Sequence, residues 1–356
     1  MKRSAIRQVW SVALTLLGAL TFAGCAEAPL RESTGLVTED FMIASAEPGI
    51  ELSVRNKRPA NLARFTSDNI VLFVHGSTGS PETGFDLRLD GVSWMEWMAS
   101  RGYDTYFVSV RGYGKSTRPR EMNEPPEKNA PIVRTSTAVQ DVGAAVDFVL
   151  KRRGVSKINL LGHSWGTTIM AAYTSQNNAK VNRLTLYAPQ WLRAQGASLT
   201  DSGGNLGAYR IVTGEGVKKR RATGLPGGKQ EELMPPRWLD AYLEAAYASD
   251  PWSSTQNPKA FRAPNGTVLD SREYWNAGKS IYDPADIRVP TLLILAEWDA
   301  DTPLYMAQTL FPKLTNAPLR RLIVIGEGTH IVLTEKNRMQ LFREVQAFFD
   351  EGAAQR

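Results

Sequence analysis

Cysteine is almost absent: Cys25 is the only one in 356 residues. That excludes an intramolecular disulfide framework and a cysteine-based zinc cluster. Histidine is nearly as scarce, so any imidazole chemistry must use His75, His163 or His330. Glycine (29) and proline (20) are too sparse for a collagenous or low-complexity chain. Excess charge of one sign is also small. The net charge of +6 includes Lys2, Arg3 and Arg7 in a first segment without acids, and the rest holds 39 basic against 36 acidic residues. Such a balance does not argue for nucleic acid. No internal repeat is visible. What remains, 42% hydrophobic and 22% charged, is an ordinary globular composition with ample length to bury a core.

Residues 9–22 (VWSVALTLLGALTF) form an apolar run, short of the ~20 residues that span a bilayer. Basic residues precede it and Ala23 and Gly24 follow it, the pattern of an export signal. Phe22-Ala23-Gly24-Cys25 resembles the bacterial lipobox, whose cysteine is lipidated and becomes the mature N-terminus. A single leftover cysteine in an exported protein fits that role, and several acyl chains would anchor it stably. Ala26 after the cysteine is similar to Gram-negative sorting toward the outer membrane. The expectation is a signal peptide over 1–24, a tether over 25–40, and a membrane-anchored envelope lipoprotein.

Beyond the tether, apolar runs at 70–74, 106–110, 158–161, 184–187, 292–295 and 322–325 each close on Gly, Pro or another small residue. Such runs suit strands buried on both faces of a parallel sheet. Between them, Val139, Val142, Val146 and Val149 share one face of a helix over 137–152. Thr137 and Gln140 fit a capping box, and Gly154 can close the C-terminus. Leu341, Val345, Phe348 and Phe349 mark another helix over 334–349. The alternation predicts an α/β fold with a doubly wound, mostly parallel sheet. Residues 190–286 break the rhythm with Gly203-Gly204, Gly227-Gly228 and Pro235-Pro236. They read as a lid or cap inserted between core segments 41–189 and 287–356. Its Trp191, Trp238, Tyr242, Tyr247, Trp252 and Trp275 suggest an apolar or aromatic substrate part, or alternatively a scaffold stabilised by its own aromatics. The basic run Lys218 to Arg221 reads as a solvated loop.

Gly162-His163-Ser164-Trp165-Gly166 matches G-x-S-x-G, after a buried strand and before a helical stretch from Thr167 to Tyr173. A strand–turn–helix elbow would hold Ser164 strained and exposed, with glycines where side chains would crowd the turn. The helix N-terminus would aim its N–H groups at the reacting oxygen. Here the chain resembles the α/β-hydrolase superfamily over residues 50–350. That resemblance implies a triad in the order Ser, acid, His. It points to Ser164 as nucleophile and to His330, in Gly326-Glu327-Gly328-Thr329-His330 after the last strand run, as base. Ala296-Glu297-Trp298-Asp299-Ala300-Asp301-Thr302-Pro303 is similar to the family's G-x-x-D-x-x-x-P and puts the acid at Asp299. Asp301 and Glu297 are the alternatives, with Asp301 expected to brace the following turn. The backbone N–H groups of Ser77 and Trp165 are the implied oxyanion donors, while His75 and His163 are read as structural. No metal or organic cofactor is required.

The implied activity is hydrolysis of a small-molecule carboxylic ester or related acyl compound. Serine at the elbow sets the chain apart from haloalkane dehalogenases and epoxide hydrolases of this fold, which carry aspartate there. The elbow with Trp165 and Gly166 also resembles proline iminopeptidases. Their oxyanion loop reads H-G-G-P-G, where this chain has His75-Gly76-Ser77-Thr78-Gly79. An aminopeptidase would need lid carboxylates for the substrate amine, and Glu231, Glu232, Asp240 and Glu244 are the candidates. A non-catalytic surface binding lipoprotein is the remaining reading, because fold alone does not imply activity.

Overall fold

All six apolar runs are strands in the computed structural model, which describes residues 35–354. The signal and Cys25 assignments lie outside those residues. The strands are β1 (Leu36–Ala44), β2 (Glu51–Pro59), β3 (Ile70–Val74), β4 (Asp104–Val108), β5 (Ile158–His163), β6 (Val181–Tyr187), β7 (Tyr209–Thr213), β8 (Ala260–Pro264), β9 (Thr291–Ala296) and β10 (Arg320–Ile325). The main sheet runs β1-β2-β4-β3-β5-β6-β9-β10, and β7 pairs with β8 apart from it. From β4 to β10 every neighbour is parallel. β1 and β2 add an antiparallel edge. The helices are α1 (Trp94–Ala99), α2 (Thr135–Arg153), α3 (Trp165–Gln176), α4 (Gly214–Ala222), α5 (Gln230–Leu233), α6 (Pro236–Ala248), α7 (Gly266–Asp270), α8 (Leu304–Leu310) and α9 (Arg338–Ala354).

The period of two along each strand sorts side chains to the two faces. In β3, Val71 and Phe73 pack with Trp94 and Met98 of α1 and Phe342 and Phe349 of α9. Ile70, Leu72 and Val74 pack with Val142 and Val146 of α2, Ile169 of α3 and Met306 of α8. With both faces covered, a central strand has no polar face to show, which is why it reads as a continuous apolar run.

β1 corrects the tether: residues 36–40 belong to the sheet. An antiparallel edge strand keeps one face in water, here Thr38, Asp40, Met42 and Ala44, and Thr38-Glu39-Asp40 splits its apolar residues into two short stretches. Phe41 and Ile43 pack inward, and Phe41 meets Phe148 of α2 at 5.2 Å between ring centroids. The turn after β1 is tied down by a buried ion pair. Arg111 donates to Asp141 of α2 at 2.7 Å, Ser45 donates to the same carboxylate at 2.8 Å, and Glu47 also pairs with Arg111.

The start of α2 is a second correction. The helix begins at Thr135, and no capping box forms at Thr137 and Gln140. Its N-terminus is satisfied instead by Asp270, whose Oδ2 accepts from the Thr135 N–H at 2.7 Å and the Thr135 hydroxyl at 2.6 Å. Asp270 is 135 residues away, so no local pattern announces it. Gly154 closes the helix in the left-handed region, φ 64°, as expected.

Residues 190–286 leave the sheet after β6 and return to β9, its neighbour. Most of the aromatics singled out there are structural. Trp191 and Trp275 join the main core, Trp238 packs with Leu89 and Met234, and Tyr247 packs near Phe261. The basic run is not a solvated loop but the end of α4. Lys218 points to solvent, whereas Arg221 is buried and Arg220 reaches inward to Asp301.

Candidate active site

Ser77, Ser164, Asp299 and His330 each follow the C-terminal end of a parallel strand, where loops converge in an open α/β sheet. Ser164 sits between β5 and α3 with φ 58° and ψ −121°. That backbone is costly for a residue with a Cβ, on the order of 1–3 kcal/mol. The surroundings hold it there. The Ser164 N–H donates to the Tyr187 carbonyl at 2.9 Å, and the Ser164 carbonyl accepts from the Thr167 N–H at 2.8 Å. A Cβ at Gly162 would lie 2.2 Å from the Gly166 carbonyl oxygen, and one at Gly166 would lie 2.5 Å from that of Val74. Both positions therefore require glycine.

His330 Nε2 lies 2.8 Å from Ser164 Oγ. Its Nδ1 lies 2.9 Å from Asp299 Oδ2, so the imidazole bridges serine and carboxylate. Burial disfavours the His330 imidazolium, but Asp299 and Asp301 outweigh it and raise its pKa above that of a free imidazole. Asp299 is fixed by a residue that the sequence does not single out. The Thr302 N–H donates to Oδ1 at 2.7 Å and the Thr302 hydroxyl to Oδ2 at 2.8 Å. The other two carboxylates are engaged elsewhere. Glu297 accepts from the Glu327 N–H at 3.1 Å. Asp301 does not cap the turn: it pairs with Arg220, Nη2 to Oδ1 at 3.0 Å.

The histidine loop is held by its backbone. Tyr187 Oη donates to the His330 carbonyl at 2.9 Å, and His163 Nε2 donates to the same oxygen at 3.0 Å. Glu335 accepts from the Thr329 N–H at 2.9 Å. Burial pushes His163 well below the usual imidazole range and His75 down to about 4, so both are neutral. His75 Nε2 accepts from the Val110 N–H at 3.1 Å, and its Nδ1 faces the Gly76 carbonyl at 2.7 Å. Both rings have structural partners.

A Cβ at Gly76 would sit 3.1 Å from Ser164 Cβ, so the loop carrying Ser77 lies directly against the serine. The Ser77 carbonyl is gripped by Tyr113 Oη at 2.8 Å and Arg210 Nη2 at 2.6 Å. Trp165 opens α3, and its indole N–H donates to Thr135 Oγ1 at 2.9 Å. Among the described residues, the backbone N–H groups of Ser77 and Trp165 donate to no other group. Serine, base and two free donors at one spot can support acyl transfer.

A cavity of about 380 Å³ opens over Ser164 and His330. Phe85, Ile331 and Leu333 line it from the core, and Val212, Val217 and Tyr242 from the insertion. Of the ten aromatic residues in the insertion, Tyr242 alone reaches it, so the apolar wall is mainly aliphatic. Among the described residues, no group of three or more His, Cys, Asp or Glu is arranged to hold a metal ion.

Similarity to known proteins bears on the fold. Human (Homo sapiens) lipase member N is 29% identical over 125 residues, covering 29% of this chain and 31% of the lipase, so the match spans about a third of that relative. A membrane phospholipase A described as a bacterial virulence factor superposes with a TM-score of 0.59 at 17% identity, over 91% of this chain and 88% of the other. An epoxide hydrolase from Vigna radiata also reaches 0.59, at 16% identity over 88% of this chain and 98% of the other. Neighbours of such different chemistry share a fold, and the residue at the elbow must decide between them. The alpha/beta hydrolase fold family matches residues 69–337, most of the chain. This chain is a member of that family.

Proposed function

We propose that the protein is a serine hydrolase that cleaves carboxylic esters through an acyl-enzyme on Ser164. The observation that carries this is the relay from Ser164 Oγ through His330, at 2.8 Å and 2.9 Å, to Asp299. His330 Nε2 takes the hydroxyl proton as Ser164 Oγ attacks the carbonyl carbon. Asp299 holds the imidazole in the tautomer with its proton on Nδ1 and stabilises the imidazolium. The developing oxyanion is received by the backbone N–H groups of Trp165 and Ser77. His330 then gives the proton to the leaving alkoxide, and water deprotonated by His330 releases the acid.

The cavity favours an ester over a substrate with a free amine. None of Glu231, Glu232, Asp240 and Glu244 lines it, and its insertion side is basic. The exposed apolar residues Leu199 and Ile211 at its mouth suit an acyl or alcohol chain. Lipase and phospholipase among the similar proteins support the same class. We further propose that Cys25 is lipidated and anchors the enzyme in a bacterial envelope, with the outer membrane favoured. Cys25→Ser would then release the protein from the membrane fraction.

The deciding experiment is labelling with a fluorophosphonate, which reacts with activated serines. Wild type should label, and Ser164→Ala and His330→Ala should not. A folded wild type that stays unlabelled and hydrolyses no ester would overturn the proposal in favour of a binding protein.

A further inference from the structure

The cavity wall carries three guanidinium groups, Arg210, Arg220 and Arg221, and one carboxylate, Asp301. Arg220 uses that carboxylate, with Nε and Nη2 at 3.1 and 3.0 Å from its oxygens, and turns Nη1 to Thr78 Oγ1 at 2.8 Å. Among the described residues, neither Arg210 nor Arg221 has a carboxylate within ion-pair distance. Arg210 donates to the carbonyls of Ser77 at 2.6 Å and Pro264 at 2.7 Å, and to the Thr78 hydroxyl at 3.0 Å. Arg221 reaches Thr334 Oγ1 at 3.3 Å and lies 4.0 Å over the Tyr242 ring. The nearby Glu335 turns both oxygens to Thr329. His75 and His163 are neutral.

Arg210 thus lacks a counter-charge, and Arg221 has only the field of Glu335, whose oxygens are engaged by Thr329. Removing a cation from water without an anionic partner is unfavourable, and burial holds Arg210 down at about 10. A low-dielectric cavity lined by one sign of charge concentrates ligands of the other sign.

We infer that the substrate of Ser164 carries an anionic group, a carboxylate or a phosphate, which Arg210 and Arg221 receive on the insertion side of the cavity. This rests on the acyl-hydrolase reading given above. Val212, Val217 and Leu333 line the same cavity and offer an apolar surface to the rest of such a substrate. Arg210 also braces the Ser77 loop. A purely bracing role affects charged and neutral esters alike, so the discriminating quantity is their ratio.

The test compares kcat/KM on two matched pairs with the purified chain. One is a para-nitrophenyl monoester of a dicarboxylic acid against its methylated counterpart. The other is a monoacylglycerol phosphate against the monoacylglycerol. In wild type the anionic partner of one pair should be favoured by about tenfold at low salt, as for a single charge-assisted hydrogen bond. The carboxylate pair and the phosphate pair tell which anion is meant. The preference should fall with added salt and approach unity in Arg221→Gln, and Arg221→Lys should restore part of it. Wild type alone gives a second reading. Inorganic phosphate or a free dicarboxylate should inhibit neutral-ester hydrolysis competitively. The inference is overturned if neutral esters are favoured in both pairs, or if the preference survives in both Arg210→Gln and Arg221→Gln. Fluorophosphonate labelling of the same samples separates the two failures. Labelled enzyme with no anionic preference sinks only this inference, whereas unlabelled enzyme sinks the acyl-enzyme itself.

Discussion

The loops at the sheet edge and the insertion between β6 and β9 meet around one cavity with opposite characters. The sheet-edge side presents Ser164 and the Ser77 loop on strands whose side chains are buried on both faces, and His330 after the edge strand β10. The insertion presents Arg210, Arg220 and Arg221 on a short strand and the end of a helix. One side can supply the bond-breaking groups, and the other supplies charge and shape. The two are laced together by Arg220, which bridges Thr78 on the serine side to Asp301 beside Asp299. In such a fold, selectivity can change on the insertion without disturbing the chemistry, provided those bridges survive.

The largest effect expected from breaking this division is on the sheet side. Ser164→Ala should lower kcat by about 10⁵- to 10⁶-fold with no loss of folded protein, checked by ester hydrolysis and thermal melting. The two neighbouring aspartates sharpen the contrast. Asp299→Asn should cost about 10⁴-fold in kcat, because the imidazole loses its tautomer. Asp301→Asn should cost about tenfold on a neutral ester, because it touches the histidine only through its field. Steady-state kinetics on both variants decide between them, and comparable losses would erase the distinction.

The pH dependence separates the same groups. In the proposed mechanism His330 must be neutral to accept the serine proton, and its pKa is raised. Activity should therefore be lost on the acid side, with an inflection in kcat/KM above the free-imidazole value of about 6.5. Asp299→Asn should move that inflection to lower pH, as read from its residual activity. The smallest effect belongs to the insertion's outer surface. Lys218→Ala should leave activity unchanged and stability within about 0.5 kcal/mol, measured by denaturant unfolding.

The legibility of the sequence follows the same division. Central parallel strands must be apolar on both faces, so their runs stand out. The elbow glycines stand out because a side chain at either place would collide with backbone. Asp299 and His330 were legible only through the family resemblance, which implies an acid and a histidine after the last two strands. Long-range partners were invisible. Nothing local to α2 reveals Asp270, and nothing in Lys218 to Arg221 tells the two outward lysines from the two inward arginines. That choice depends on Asp301, Thr78 and Thr334, which lie far away in sequence. Thr302 was hidden for a different reason, since a threonine in a turn has no pattern of its own. The edge strand β1 does not stand out, because Thr38-Glu39-Asp40 splits its apolar residues into two short stretches.

The cap on α2 limits how this enzyme can be engineered. Asp270 belongs to the insertion, yet it accepts the first hydrogen bonds of a core helix, and its partner Thr135 receives the indole N–H of Trp165, next to Ser164. A chimaera that exchanges residues 190–286 for a relative's insertion would remove that acceptor. It would leave a buried helix end open, at about 1 kcal/mol or more, and take away the acceptor of the Thr135 hydroxyl that holds the indole beside the serine. A workable graft has its second junction before α7, so that the transplanted piece carries new specificity while Asp270 stays with the recipient.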